Sequence, residues 1–144
     1  MKRVILLVLF SVFLIACNSS MSNAHEVPSG KMIIDNQEYP MESYQYEWKE
    51  KNIEMKHIPV NTIYERAEEL QNISVAKNSK LKFSFEKKPL SILVYQHDQE
   101  KKLTTVDVKE NELTLPADEG YYMYEVMAEW QQGVITFIFD VEVK

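Results

Sequence analysis

From about Lys31 onward, apolar and polar residues alternate with a period of two, the spacing that sends every second side chain to one face of a β-strand. Tyr44, Tyr46 and Trp48 alternate with Gln45, Glu47 and Lys49, and Leu81, Phe83 and Phe85 alternate with Lys82, Ser84 and Glu86. Both stretches read as half-buried strands. Ser91 to Gln96 continues the pattern after Lys87-Lys88-Pro89, a turn whose proline has no N–H to give to a sheet ladder. Shorter candidates run from Thr104 to Val108 and from Glu112 to Leu115, separated by Lys109-Glu110-Asn111. Near the C-terminus Tyr122, Tyr124, Val126, Ala128 and Trp130 share one face. Gln131-Gln132-Gly133 then permits a tight reversal, and Ile135, Phe137, Phe139, Val141 and Val143 line one face of the returning strand. One segment breaks the period. Asn61 to Leu70 spaces Ile63, Tyr64, Ala67 and Leu70 as a helix does, with Glu65, Glu68 and Glu69 between them, which predicts one short helical segment crossing between sheets. Many short strands and little helix predict an all-β sandwich over residues 31–144.

The first thirty residues follow a different pattern. Lys2 and Arg3 precede an apolar run from Val4 to Ala16, broken only by Ser11 and ending at Cys17. The run is too short for the ~20 residues that cross a hydrocarbon core as a helix, so the layout predicts a cleaved signal peptide over residues 1–16. Leu14-Ile15-Ala16-Cys17 resembles the lipobox of bacterial lipoproteins. The resemblance implies that Cys17 receives a diacylglyceryl group and becomes the new N-terminus, which leaves it neither a redox thiol nor a metal ligand. Two or more acyl chains hold a protein stably on a bilayer where one chain is marginal. Residues 17–30 are then the lipidated cysteine and a polar stretch with Ser, Asn, Pro and Gly, the composition of a flexible tether.

Charge and composition narrow the function classes. Removing residues 1–16 deletes two basic residues and no acidic ones, leaving 14 Lys and Arg against 22 Asp and Glu, a net charge of −8. A surface of that sign repels nucleic acid and anionic headgroups, so neither is an expected partner. Gly30, Gly120 and Gly133 are scattered, which excludes the clustered-glycine phosphate loops. One Cys forms no internal disulfide.

Asp118-Glu119-Gly120-Tyr121-Tyr122-Met123-Tyr124 resembles the tyrosine corner of immunoglobulin-like domains, in which a tyrosine hydroxyl bonds back to the backbone at the turn into the penultimate strand. Tyr122 takes the corner position, and Tyr124 stands where the disulfide cysteine of antibody-type domains falls. The resemblance implies an immunoglobulin-like β-sandwich held by aromatic packing. More broadly, Tyr46-Glu47-Trp48, Leu81-Lys82-Phe83-Ser84-Phe85, Lys88-Pro89, Leu115-Pro116, the Gly120 to Tyr124 stretch, Trp130-Gln131-Gln132-Gly133 and Phe137-Ile138-Phe139 resemble small extracytoplasmic lipoproteins of Gram-positive, Bacillus-type bacteria. This second resemblance covers most of residues 40–143 and implies fold and location but no activity.

No catalytic set is assigned. His25 opens His-Glu-Val-Pro-Ser, which is not the H-E-x-x-H of zinc proteases, and Pro28 prevents a helix there. His57 and His97 have no nucleophile or base at motif spacing. Soft thioethers with imidazole select copper, and Met55, His57 and His97, with Met123 and Met127, are the candidates for such a site. No cofactor is expected beyond that alternative. If Tyr122, Tyr124 and Trp130 face the core, then Tyr121, Met123 and Met127 point outward and form a candidate contact patch, unless Asn61 to Leu70 or the Tyr46 strand covers that face. The expectation is a non-catalytic binding or accessory module on the extracytoplasmic face of the cell membrane, anchored through Cys17, whose partner is an envelope protein or peptide. A copper-binding lipoprotein and a peptidase inhibitor are the alternatives.

Overall fold

The computed structural model describes residues 26–144. The expected signal peptide, Cys17, His25 and most of the expected tether lie outside the described residues. Eleven strands and one helix follow in order: β1 (Gly30–Ile34), β2 (Gln37–Pro40), β3 (Glu42–Glu50), β4 (Ile53–His57), α1 (Ile63–Ala67), β5 (Ile73–Val75), β6 (Lys80–Phe85), β7 (Ser91–His97), β8 (Leu103–Val106), β9 (Glu112–Thr114), β10 (Gly120–Trp130) and β11 (Gly133–Val143). They form two sheets, ordered β2-β1-β6-β9 and β4-β3-β11-β10-β7-β8, with β5 running parallel to the end of β11. The all-β sandwich is the observed fold.

The last six strands carry the immunoglobulin-like arrangement. β6 and β9 pair in the small sheet while β8, β7, β10 and β11 lie side by side in the large one, the B-E and C′-C-F-G neighbours of that fold. Tyr122 completes the corner, its hydroxyl donating to the Asp118 carbonyl at 3.1 Å. The first four strands are additions at the edges: β1 and β2 extend the small sheet beside β6, and β3 and β4 extend the large sheet beside β11. Four short strands escape the period-two reading. β1 and β2 are joined by Asp35 and Asn36, both at positive φ, the backbone of a two-residue hairpin turn that Asp and Asn tolerate. β4 and β5 run five and three residues, too short for alternation to register.

Two boundaries shift. Pairing starts at Gly30, and Pro28 is buried while the Ser29 N–H donates to Glu86 Oε2 at 3.1 Å, so the end of the expected tether belongs to the sandwich. The helical segment does not cross between sheets. It leaves β4 and returns at β5, both in the large sheet, and lies over that sheet's outer face. A capping box starts it: Thr62 Oγ1 accepts from the Glu65 N–H at 3.3 Å, and the Glu65 carboxylate accepts from the Thr62 N–H at 2.7 Å. Arg66 forks to Glu42 on β3 and to Glu69, tying the segment to the sheet edge. Both pairs are partly exposed, so they orient the segment more than they stabilise it.

Between the sheets lies an aromatic core. Trp48 and Trp130 meet edge to face at 5.6 Å, Phe85 contacts Trp130 and Phe137 at 5.9 and 5.8 Å, and Tyr124 stacks on Phe139 at 4.8 Å. The alternation of β10 and β11 sends Tyr124, Val126, Ala128, Ile135, Phe137 and Val141 inward, each almost fully buried.

Candidate functional site

The inward alternation of β10 and β11 leaves Tyr121, Met123, Glu125, Met127, Ile138 and Asp140 on the outer face of the large sheet, where His97 pairs with Met123 and Met123 pairs with Asp140 across neighbouring strands. The α1 segment lies over one end of this face. Its Ala67 is buried, and a cleft of about 400 Å³ remains between the segment, the β7–β8 turn and the sheet, lined by Tyr64, Leu70, His97, Lys101, Tyr121, Met123 and Asp140 among others.

Two hydrogen-bonded units build the cleft. In the first, the Tyr64 hydroxyl and His97 Nδ1 are 2.9 Å apart, and His97 Nε2 is 2.5 Å from Glu125 Oε1. The Glu125 carboxylate accepts from the Nε2–H, and Nδ1 shares the second hydrogen bond with the Tyr64 hydroxyl. The two rings meet edge to face at 5.5 Å, and Lys101 Nζ stands 4.5 Å from the centre of the Tyr64 ring. With both ring nitrogens engaged, His97 has no free base to offer a substrate. Its role is to clamp α1 onto the sheet.

In the second unit the Tyr121 hydroxyl donates to Asp140 Oδ2 at 2.9 Å. Asp140 is only 4% exposed, and among the described residues no basic side chain lies within ion-pair distance of it. Burial raises its carboxyl above the ordinary range, and the Tyr121 hydrogen bond and its own backbone amide oppose that shift. Burial likewise pushes the Tyr121 hydroxyl up, reinforced by its hydrogen bond to Asp140 and the nearby charges of Asp140 and Glu68.

The raised carboxyl has a pH signature. A group that binds its proton more tightly in the folded than in the unfolded state contributes most to stability at low pH, and that contribution is lost as pH rises from the unfolded value toward the folded one. Asp140→Asn keeps an oxygen for Tyr121 and removes the buried charge. The variant is expected to melt above the parent at pH 7, with the gap closing as pH falls to about 4, where even the unfolded Asp is half protonated. Thermal denaturation across that pH series checks it. A pH-independent difference would remove the charge argument.

The residues singled out from sequence are only partly brought together. Met123 is 2% exposed beneath the α1 segment, so the expected contact patch of Tyr121, Met123 and Met127 is not one surface. Tyr121 is half-buried against Asp140, and Met127 faces solvent opposite Leu93. The metal candidates separate as well. Met55 and His57 share the face of Trp48 and Tyr46 on β3, with His57 stacked on Tyr46, whereas His97 is on the opposite face of the same sheet. One ion cannot reach both faces through a packed sheet. His97, Tyr121 and Met123 are legible in the sequence as candidates, whereas Asp140 and Tyr64 are not. Asp140 reads as one more outward polar residue between Phe139 and Val141, and nothing in the helix pattern joins Tyr64 to His97.

In comparisons with known proteins, the chain matches no protein-family model, and neither a curated protein nor a solved structure matches it.

Proposed function

We propose that this protein is a non-catalytic binding module, attached by lipid at Cys17 to the extracytoplasmic face of the cell membrane, as the lipobox resemblance of Leu14-Ile15-Ala16-Cys17 implies. The observation that carries the binding role is the cleft of about 400 Å³ beneath α1, whose floor holds a buried carboxylate without a cationic partner among the described residues. A cleft with apolar walls and a few convergent polar groups suits recognition. His97, its one histidine, is committed to structure. The resemblance to small lipoproteins of Bacillus-type bacteria agrees with this location and with a partner in the envelope.

Two experiments test the reading. Cys17→Ala is expected to abolish metabolic labelling with a fatty acid and to move the protein out of the lipid-anchored fraction; labelling at the parent level refutes the anchor. Crosslinking of the intact protein in its own cells, followed by mass spectrometry, is expected to recover a specific envelope protein. Recovery of no partner under several growth conditions counts against the module.

One feature favours a peptidase inhibitor as the second reading. Between β4 and α1, Ile58 and Val60 flank Pro59 and are 62% and 101% exposed, two aliphatic side chains presented to solvent. The presentation is held at both ends, by the pairing of His57 with Tyr46 and by the Tyr44 hydroxyl donating to the Asn61 carbonyl at 2.9 Å. A held, exposed loop loses little conformational entropy on entering a cleft. On this reading the protein inhibits a peptidase of aliphatic specificity, and Val60→Asp weakens inhibition by about 100-fold, the scale of a lost hot-spot side chain. No inhibition across a panel of serine, cysteine and metallopeptidases rejects it.

A further inference from the structure

We propose that the cleft beneath α1 receives an organic cation on an apolar stem, the side chain of a lysine or arginine in a partner polypeptide, with Asp140 as its counter-ion. This inference rests on the binding-module reading and names the chemistry of its ligand. A carboxylate buried without a cation is costly, because desolvation penalises the charge and neutral hydrogen-bond donors repay only part of it. Asp140 is in that position, with the Tyr121 hydroxyl as a donor to one carboxylate oxygen. A ligand cation entering the cleft supplies the missing partner and makes the second bond charge-assisted.

The walls suit the rest of such a side chain. Leu70, Met123 and the rings of Tyr64 and Tyr121 give apolar and aromatic surface along which a methylene stem lies while its charged head reaches the floor. Lys101 shows that this wall accepts a cation, since its ammonium stands over the Tyr64 ring at 4.5 Å. Lys101 is on the β7–β8 turn and is not within ion-pair distance of Asp140. Glu68 and Asp98 add negative charge to the lining, and the mature chain's net charge of −8 attracts a basic partner over longer range. A volume of about 400 Å³ falls near the lower end of ligand pockets, which suits one side chain. A metal ion is the poorer occupant: among the described residues no three His, Cys, Asp or Glu side chains converge to hold one.

The test uses the full chain in detergent with its methionine methyl groups labelled with carbon-13, so that Met123 reports from the cleft wall. N-acetyl-lysine N-methylamide is expected to shift the Met123 resonance saturably in the millimolar range. Butylamine, the same cation without a peptide, should bind more weakly. The uncharged norleucine analogue should bind at least about tenfold more weakly, and Asp140→Asn should weaken lysine binding by a similar factor, as expected for loss of a charge-assisted bond. Because that variant is expected to melt higher than the parent at neutral pH, weaker binding in it cannot be ascribed to unfolding. Equal binding of the lysine and norleucine analogues, undiminished binding by Asp140→Asn, or no shift of Met123 overturns the proposal. Butylamine binding as tightly as the capped lysine overturns the peptide as the source of the cation. In cells, a crosslinked partner captured equally by parent and Asp140→Asn rejects the cation site while sparing the binding module; capture of none by the parent rejects the module itself.

Discussion

Gly133→Ala is expected to abolish cooperative folding or to lower stability by more than about 4 kcal/mol, a large part of the ~5–15 kcal/mol that holds most domains together. Gly133 opens β11 directly after the Gln131-Gln132 reversal, where β3 passes close by. A methyl group there would fall 1.9 Å from the Glu47 carbonyl oxygen and 2.9 Å from both the Glu47 carbonyl carbon and the Trp48 Cα. These are backbone atoms of a paired strand, so relief requires β3 to move. β3 is fixed in that place by the pairing of Trp48 with Gly133, by the Lys49 N–H donating to the Gln132 carbonyl at 2.8 Å, and by the buried Trp48 ring. Gly120→Ala is the informative contrast. Its methyl group would meet the side-chain amide of Gln99 at 2.5 Å, the far end of a flexible chain, and the cost is expected to be smaller despite the positive φ of 151°. Thermal and urea denaturation of both variants checks the ranking; a Gly133→Ala protein melting within a few degrees of the parent would falsify the close-approach argument.

Phe83→Ala is expected to cost about 3–5 kcal/mol, the range for removing a large buried aromatic side chain. Phe83 is 1% exposed on β6 of the small sheet and faces Phe139 of the large sheet at 6.2 Å; Phe139 in turn stacks on Tyr124 at 4.8 Å with nearly parallel rings. Tyr124 occupies the position where antibody-type domains place a cysteine on the penultimate strand, and β6 is the strand that carries the other one. Phe83, Phe139 and Tyr124 therefore connect the sheets across the region that a disulfide spans elsewhere. Tyr124 is satisfied as well as packed, its hydroxyl donating to Gln96 Oε1 at 2.8 Å. Phe83→Leu, which keeps most of the volume, is expected to lose less than about half as much. Equal melting temperatures for the alanine and leucine variants would show that the site collapses freely and that the aromatic bridge does little.

The strands that the alternation revealed are those with long, one-sided contact to the core. β10 and β11 each run eleven residues, long enough for the inner row of Tyr122 to Trp130 and the inner row of Ile135 to Val143 to stand out. Asp118 and Tyr122 also showed their relation in sequence, because a corner is local: donor and acceptor are four residues apart. β1 and β5 carried no such signal. Their stability comes from pairing with distant strands, β1 with β6 and β5 with β11, and a short strand's own residues do not record its partner.

The candidate site shows the same division more sharply. The period-two pattern told which residues share the outer face of β10, and so placed Tyr121 and Met123 together with Met127. It could not tell what lies above that face. Only the return of the chain over residues 58–72 made Met123 interior, left Met127 at the surface, and set Tyr64 against His97 across 33 positions of sequence. Asp140 changed meaning for the same reason. On an isolated strand it is a solvated carboxylate; beneath α1 it is a buried one beside Tyr121. Sequence by itself determined the two-faced strands, the tyrosine corner and the acidic balance, since each is set by neighbours in the chain or by a count. Tertiary structure alone decided which outer face is covered and which charge is stranded, because burial depends on packing between segments far apart in the chain.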